Sequence, residues 1–132
     1  MVETVIAVCL TAIAIVALMP MQDRAINVIS RSDYMGRAEG IMQAELELQE
    51  NVMMNSDDIT SPITPGTFTK TVYASSNGTT SGISGSGDAS FTVVTNISVA
   101  AGTKSWLVNV KVTWKGNATG ITSSMIASRI ST

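Results

Sequence analysis

MVETVIAVCLTAIAIVALMPMQDR, residues 1–24, decides the plan of this chain. Across residues 5–19 only Thr11 interrupts an apolar run. As a helix, residues 4–21 would rise about 27 Å at about 1.5 Å each, close to the thickness of a bilayer core. A secretory signal would begin with positive charge and end at a small-residue cleavage site, but the first charge here is the acid Glu3. A buried core helix fails differently, because the roughly eighty polar-rich residues left for a globular part could not wrap a helix apolar on every side. A membrane segment is the reading that remains.

Glu3 is then the residue to explain. An ionised side chain at the bilayer centre costs on the order of 2.5 kcal/mol or more, and such groups are usually paired. The nearest cation in sequence is Arg24, too far along a helix to reach. The terminal amine at Met1 of an adjacent identical chain would serve.

Beyond Pro20 the pattern turns amphipathic. Tyr34, Met35, Ala38, Ile41, Met42, Leu46, Leu48, Val52 and Met53 fall on one broad helical arc, with Glu39, Gln43, Glu47 and Glu50 opposite. Glu45 and Gln49 stand inside the apolar arc, either as residues of a helix end or with Glu45 paired to an Arg of a neighbouring subunit. The eight Met read as core filler. NSDDITSPITPG, residues 55–66, should stop the helix near Asn55 and form a loop. Asp57 and Asp58 lack the spacing of a calcium loop and read as a solvated turn.

From Thr67 the period becomes two. TFTKTVYA, ASFTVVTNISVA and SWLVNVKVTWKG are β-branched and aromatic runs bounded by Gly, Ser and Asn. Trp106, Val108, Val110, Val112 and Trp114 share one face, and Phe91, Val93, Ile97 and Val99 share another. GITSSMIASRI is a weaker fourth strand, and SSNGTTSGISGSG reads as a flexible exposed loop. The expected fold is α+β: a long N-terminal helix, apolar then amphipathic, packed on a small antiparallel sheet. Its parts are an apolar helix segment (1–22), an amphipathic helix (23–54), a loop (55–66) and a sheet domain (67–132).

Composition narrows the function. Net charge is −2, and Lys and Arg are scattered singly, so there is no basic stripe for nucleic acid. With no His, and Cys9 alone in the apolar run, the common general base, the common metal ligand and an intrachain disulfide are missing. No catalytic, cofactor-binding or metal motif emerges, and the expectation is a non-enzyme without cofactors. Three N-x-S/T sequons begin at Asn77, Asn96 and Asn117, of which Asn77 and Asn117 are the better placed glycosylation candidates.

The opening residues resemble type IV pilins and the related type II secretion pseudopilins. Processed subunits of that family carry a short apolar lead, an obligatory Glu, an apolar helical stretch and then a Pro. Glu3 and Pro20 stand at the family's own spacing, and ETVIAVCLTAIAIVALMP fills the interval in its style. The family places four residues before its Glu, preceded by a Gly at the peptidase site; here Met1 and Val2 precede it. The resemblance implies a homo-oligomeric helical filament built through this helix, with Met1, Glu3 and Pro20 as assembly positions and a methylated terminal amine. It also implies processing by a prepilin peptidase, a bacterial inner-membrane precursor pool, a pilus assembly machinery and an extracellular, cell-surface filament with no nucleic acid required. In assembled filaments of the family the stretch before the proline commonly melts, which implies an extended segment between about Ala12 and Met21 here. A secretion pseudopilus and a monomeric membrane-anchored binding domain are the alternatives, the latter leaving Glu3 without a role.

Overall fold

The computed structural model describes residues 1–54, 63–100 and 105–128. Helix α1 (Val2–Met54) is followed by strands β1 (Gly66–Ala74), β2 (Thr80–Ser81), β3 (Ala89–Val99), β4 (Ser105–Trp114) and β5 (Asn117–Ser128). This is the α+β architecture expected: a long N-terminal helix packed on an antiparallel sheet. Helix α1 is described as far as Met54; the expected stop near Asn55 and the turn expected at Asp57 and Asp58 lie outside the described residues. By its contacts the chain divides into two units, Met1–Tyr34 and Met35–Thr132.

In the second unit the five strands lie in the order β2-β1-β3-β4-β5, every neighbouring pair antiparallel. Alternation within β3 and β4 turns Phe91, Val93, Thr95 and Ile97, and Trp106, Val108, Val110, Val112 and Trp114, to one buried face. Each fully buried Val or Phe contributes roughly 1.5–3 kcal/mol relative to an exposed one, so this face carries most of the unit's stability. Phe91 and Trp114 stand opposite each other across the strands with ring centroids 6.2 Å apart and tilted. Val99 belongs to the same alternation but lies at the strand end, where it is exposed rather than covered.

The loop expected to be flexible over residues 75–87 holds a short strand. Ser75 and Thr79 exchange a backbone bond, and the chain turns back so that β2 pairs with Tyr73 and Ala74. Residues 117–128, the weakest strand signal, form the longest strand, β5. It leaves β4 through a two-residue turn, Lys115 and Gly116, and then bulges: the register shifts between Val112 and Trp114. Gly120 makes the bulge possible, since its φ is +65° and a Cβ there would stand 2.1 Å from the Val112 carbonyl oxygen.

The helix residues that this unit buries are Ala38, Ile41, Glu45 and Met53, with Met42, Leu46 and Gln49 half-buried beside them. Three members of the expected arc are not on the packed stripe: Met35, Leu48 and Val52 are exposed. The arc drawn from the sequence is broader than what one sheet can cover, and the covered stripe takes only the residues nearest its centre line. Arg37 ties the stripe to the end of β1, its Nη1 donating to the carbonyls of Ser75 at 3.2 Å and Ala74 at 3.5 Å.

Glu45 is the main correction. It is neither a solvated helix-end residue nor the partner of a neighbouring subunit's Arg; it is 5% exposed and pairs inside its own chain with Lys70 of β1. Its Oε1 also accepts from Thr95 Oγ1 at 3.0 Å and from Gln49 Nε2 at 3.0 Å. Burial pushes this carboxyl upward, but the Lys70 ammonium, the Gln49 amide and the Thr95 hydroxyl outweigh it and hold the group below the usual glutamate value. Among the described residues Thr95 is the other buried polar one, and the same contact satisfies it.

Candidate assembly surface

The first unit consists of helix without a core. Every residue of 1–33 is exposed, and the apolar side chains from Val2 through Met21 stand free all round the helix. Soluble monomers rarely show an uncovered apolar surface on this scale, which marks a membrane or protein contact. The helix is long and apolar enough to cross a membrane.

Its few polar side chains are arranged as an apolar medium requires. Thr4 Oγ1 donates to the Met1 carbonyl and Thr11 Oγ1 to the Ala7 carbonyl, both at 2.7 Å, so these hydroxyls use the helix's own backbone and ask nothing of the surroundings. Glu3 is different. It sits in the first turn, exposed, with no ion pair among the described residues. An acid there gains something from the helix dipole, roughly 0.3–1 kcal/mol, which is less than the cost of taking it into hydrocarbon. Met1 is fully exposed two residues away. Cys9 is a free, exposed thiol on the same helix.

Pro20 lies inside α1, and the helix runs through it. Proline removes the N–H that would bond to the Val16 carbonyl and crowds that turn, so the helix here is held by fewer bonds than elsewhere. The expected extended segment before the proline concerns the assembled state, and the single chain is helical there.

The sequons fall in three different settings. Asn77 is exposed at the tip of the β1–β2 turn, its Oδ1 accepting from Thr79 N at 3.1 Å and from the Ser75 and Thr79 hydroxyls. Asn96 lies mid-strand and donates to Thr67 Oγ1 at 2.9 Å. Asn117, expected with Asn77 to be the better exposed of the three, is half-buried at the start of β5, where its Oδ1 accepts from Gly120 N at 3.0 Å. Among the described residues no three His, Cys, Asp or Glu side chains gather in a way that could hold a metal.

Sequence reasoning located Met1, Glu3 and Pro20 on this surface but missed the Glu45, Lys70, Gln49 and Thr95 cluster in the other unit. One signal was present: in TFTKTVYA, Lys70 alternates with Phe68 and Val72 and so stands on the apolar side of its strand. No family model, curated protein or solved structure matches this chain.

Proposed function

We propose that this protein is the structural subunit of a type IV pilus-like helical filament, polymerising through its N-terminal helix and acting by assembly rather than catalysis. One observation carries the reading: a helical stretch over residues 4–21 that is apolar on every side and uncovered, with an unpaired acid in the first turn, belongs to the same helix that packs on a small sheet. A bilayer could cover the apolar residues of a single copy, but it offers Glu3 nothing. A bundle of identical helices covers both, because the N-terminal amine of one copy can meet the Glu3 carboxylate of the next. The chain would wait in the inner membrane of a bacterial cell, be processed by a prepilin peptidase, and be drawn into an extracellular filament by an assembly machinery.

Removing Glu3 leaves the amine uncompensated in a water-poor core, a loss of roughly 3–5 kcal/mol per contact. Glu3→Ala should therefore leave the protein in the membrane fraction and abolish filaments in material sheared from the cell surface. Filaments of normal yield from Glu3→Ala would refute the reading and favour a monomeric membrane-anchored domain, for which the acid is idle. Filaments seen only as short periplasmic pseudopili would move the protein to a secretion system without changing its mode of assembly.

A further inference from the structure

The apolar run of residues 4–21 does not exhaust the uncovered surface of α1. Ile26, Val28 and Ile29 follow it and are 63–68% exposed, and Arg24 and Arg31 stand among them. Arg24, Val28 and Arg31 are spaced four and three residues apart and form one stripe. Neither arginine has an ion pair or hydrogen bond among the described residues. In the second unit, Glu39, Gln43, Glu47 and Glu50 form a stripe of opposite sign on the helix, exposed and away from the residues the sheet covers. Its acids are likewise without partners among the described residues. Glu45 and Arg37 do not contribute to it, since Lys70 and the β1 carbonyls engage them.

We infer that the Arg24–Arg31 stripe of one copy docks on the Glu39–Glu47 stripe of a second copy, an inference that rests on the filament reading above. The spacings agree. Arg24 and Arg31 are seven residues apart and Glu39 and Glu47 eight, about 10.5 and 12 Å along a helix, so both pairs can form together. Docking also covers Val28, which lies between the two arginines on the same stripe and which neither the apolar run nor the sheet explains.

The two stripes are different surfaces, and that determines the kind of assembly. Each docking event uses the basic stripe of one copy and the acidic stripe of the other, leaving one stripe of each kind free. A contact of this heterologous type does not close on itself as a two-fold dimer does; repeated, it gives a ring or an open helix. Exposed ion pairs are individually weak, so the stripes act less as adhesive than as a selector of which faces meet, with the apolar helices supplying the affinity. A lipid surface fits less well, since an anionic headgroup layer that attracted the arginines would repel the acidic stripe.

The test uses full-length chains and paired charge reversals. One variant carries Arg24→Glu and Arg31→Glu; the other carries Glu39→Arg, Glu47→Arg and Glu50→Arg. Expressed alone, each should lose about tenfold or more of its sheared filament yield, since two attractive contacts become repulsive. Expressed together they should recover, because the acidic stripes of the first variant then meet the basic stripes of the second in alternation. One chain carrying all five reversals should also recover. Normal yield from either variant alone, or loss without recovery in both the mixture and the combined chain, would overturn the docking and leave the filament reading standing. If wild-type chains form no filament while the arginines are needed only for binding anionic vesicles, both fall.

Discussion

Glu45 shows how one side chain can hold two elements in register. It is almost fully buried, yet it remains charged because Lys70, Gln49 and Thr95 reach it from β1, from the next helical turn and from β3. Lys70 is 49% exposed, so water shares the pair and its worth is well below that of a fully buried ion pair. Lys70→Met should cost about 1–3 kcal/mol in denaturant unfolding, because the carboxylate stays buried without its cation. Glu45→Leu combined with Lys70→Met should recover much of that, since the site then needs no charge. The pH response follows from the lowered folded value of Glu45. The unfolded chain takes up this proton first, so the pair's contribution is complete above about 4.3 and is lost as the pH falls through the lower folded value. The melting temperatures of wild type and Glu45→Gln should therefore converge on acidification below about pH 4. Gly120 is the other residue with a sharp local requirement. Gly120→Ala must place a methyl against the Val112 carbonyl at a positive φ, and should cost about 2–4 kcal/mol or move the β4–β5 bulge.

At the scale of the element, α1 must satisfy two environments. Its second half answers to one sheet and shows a narrow buried stripe; residues 4–21 are apolar on every side, the pattern of a helix covered all round by lipid or by other helices. Pro20 sits inside the uncovered part, and the residues before it include Thr11, Ile13, Ile15 and Val16, β-branched side chains of lower helix propensity than Leu or Ala. The stretch of 12–21 is thus the part of α1 least able to resist extension. In an assembled filament we expect it to open, lengthening from about 1.5 Å to over 3 Å per residue while the flanking helix persists. A filament map should show a non-helical gap ending near Pro20, and Pro20→Ala filaments should yield less to stretching. An unbroken helix through Pro20 in the filament contradicts this expectation.

For the whole molecule, the division of contacts at Tyr34 and Met35 makes a direct forecast. A chain beginning at Met35 keeps the buried stripe, the Glu45 cluster and the whole sheet, and should give a soluble monomer with helix and strand signals in circular dichroism and a cooperative thermal transition. Aggregation of that fragment would mean that the first unit contributes to the fold of the second. Aromatic residues are 5% of the chain, and Tyr34 alone lies on the helix, so in a filament built on α1 we expect no continuous aromatic stack along the axis. Purified filaments free of haem proteins should be insulating; metallic-like conductance would contradict that.

What the amino-acid order determined by itself is whatever depends on near neighbours along the chain. Eighteen residues without a charge make an apolar helix segment, period-two alternation makes strands β1, β3 and β4, and Glu3 stands out because nothing nearby can pair with it. Tertiary structure decided what depends on how elements cross. The apolar arc did not say that Met35, Leu48 and Val52 would miss the sheet, nor that Glu45 would lie at its centre, because the covered stripe is set by the angle and width of the surface it meets. Lys70 became the partner of Glu45 only through strand register, which places its alternating face under the helix. The two-residue strand β2 and the close approach at Gly120 likewise come from backbone pairing across a turn, six to eight residues along the chain, which the alternation of side-chain types does not record.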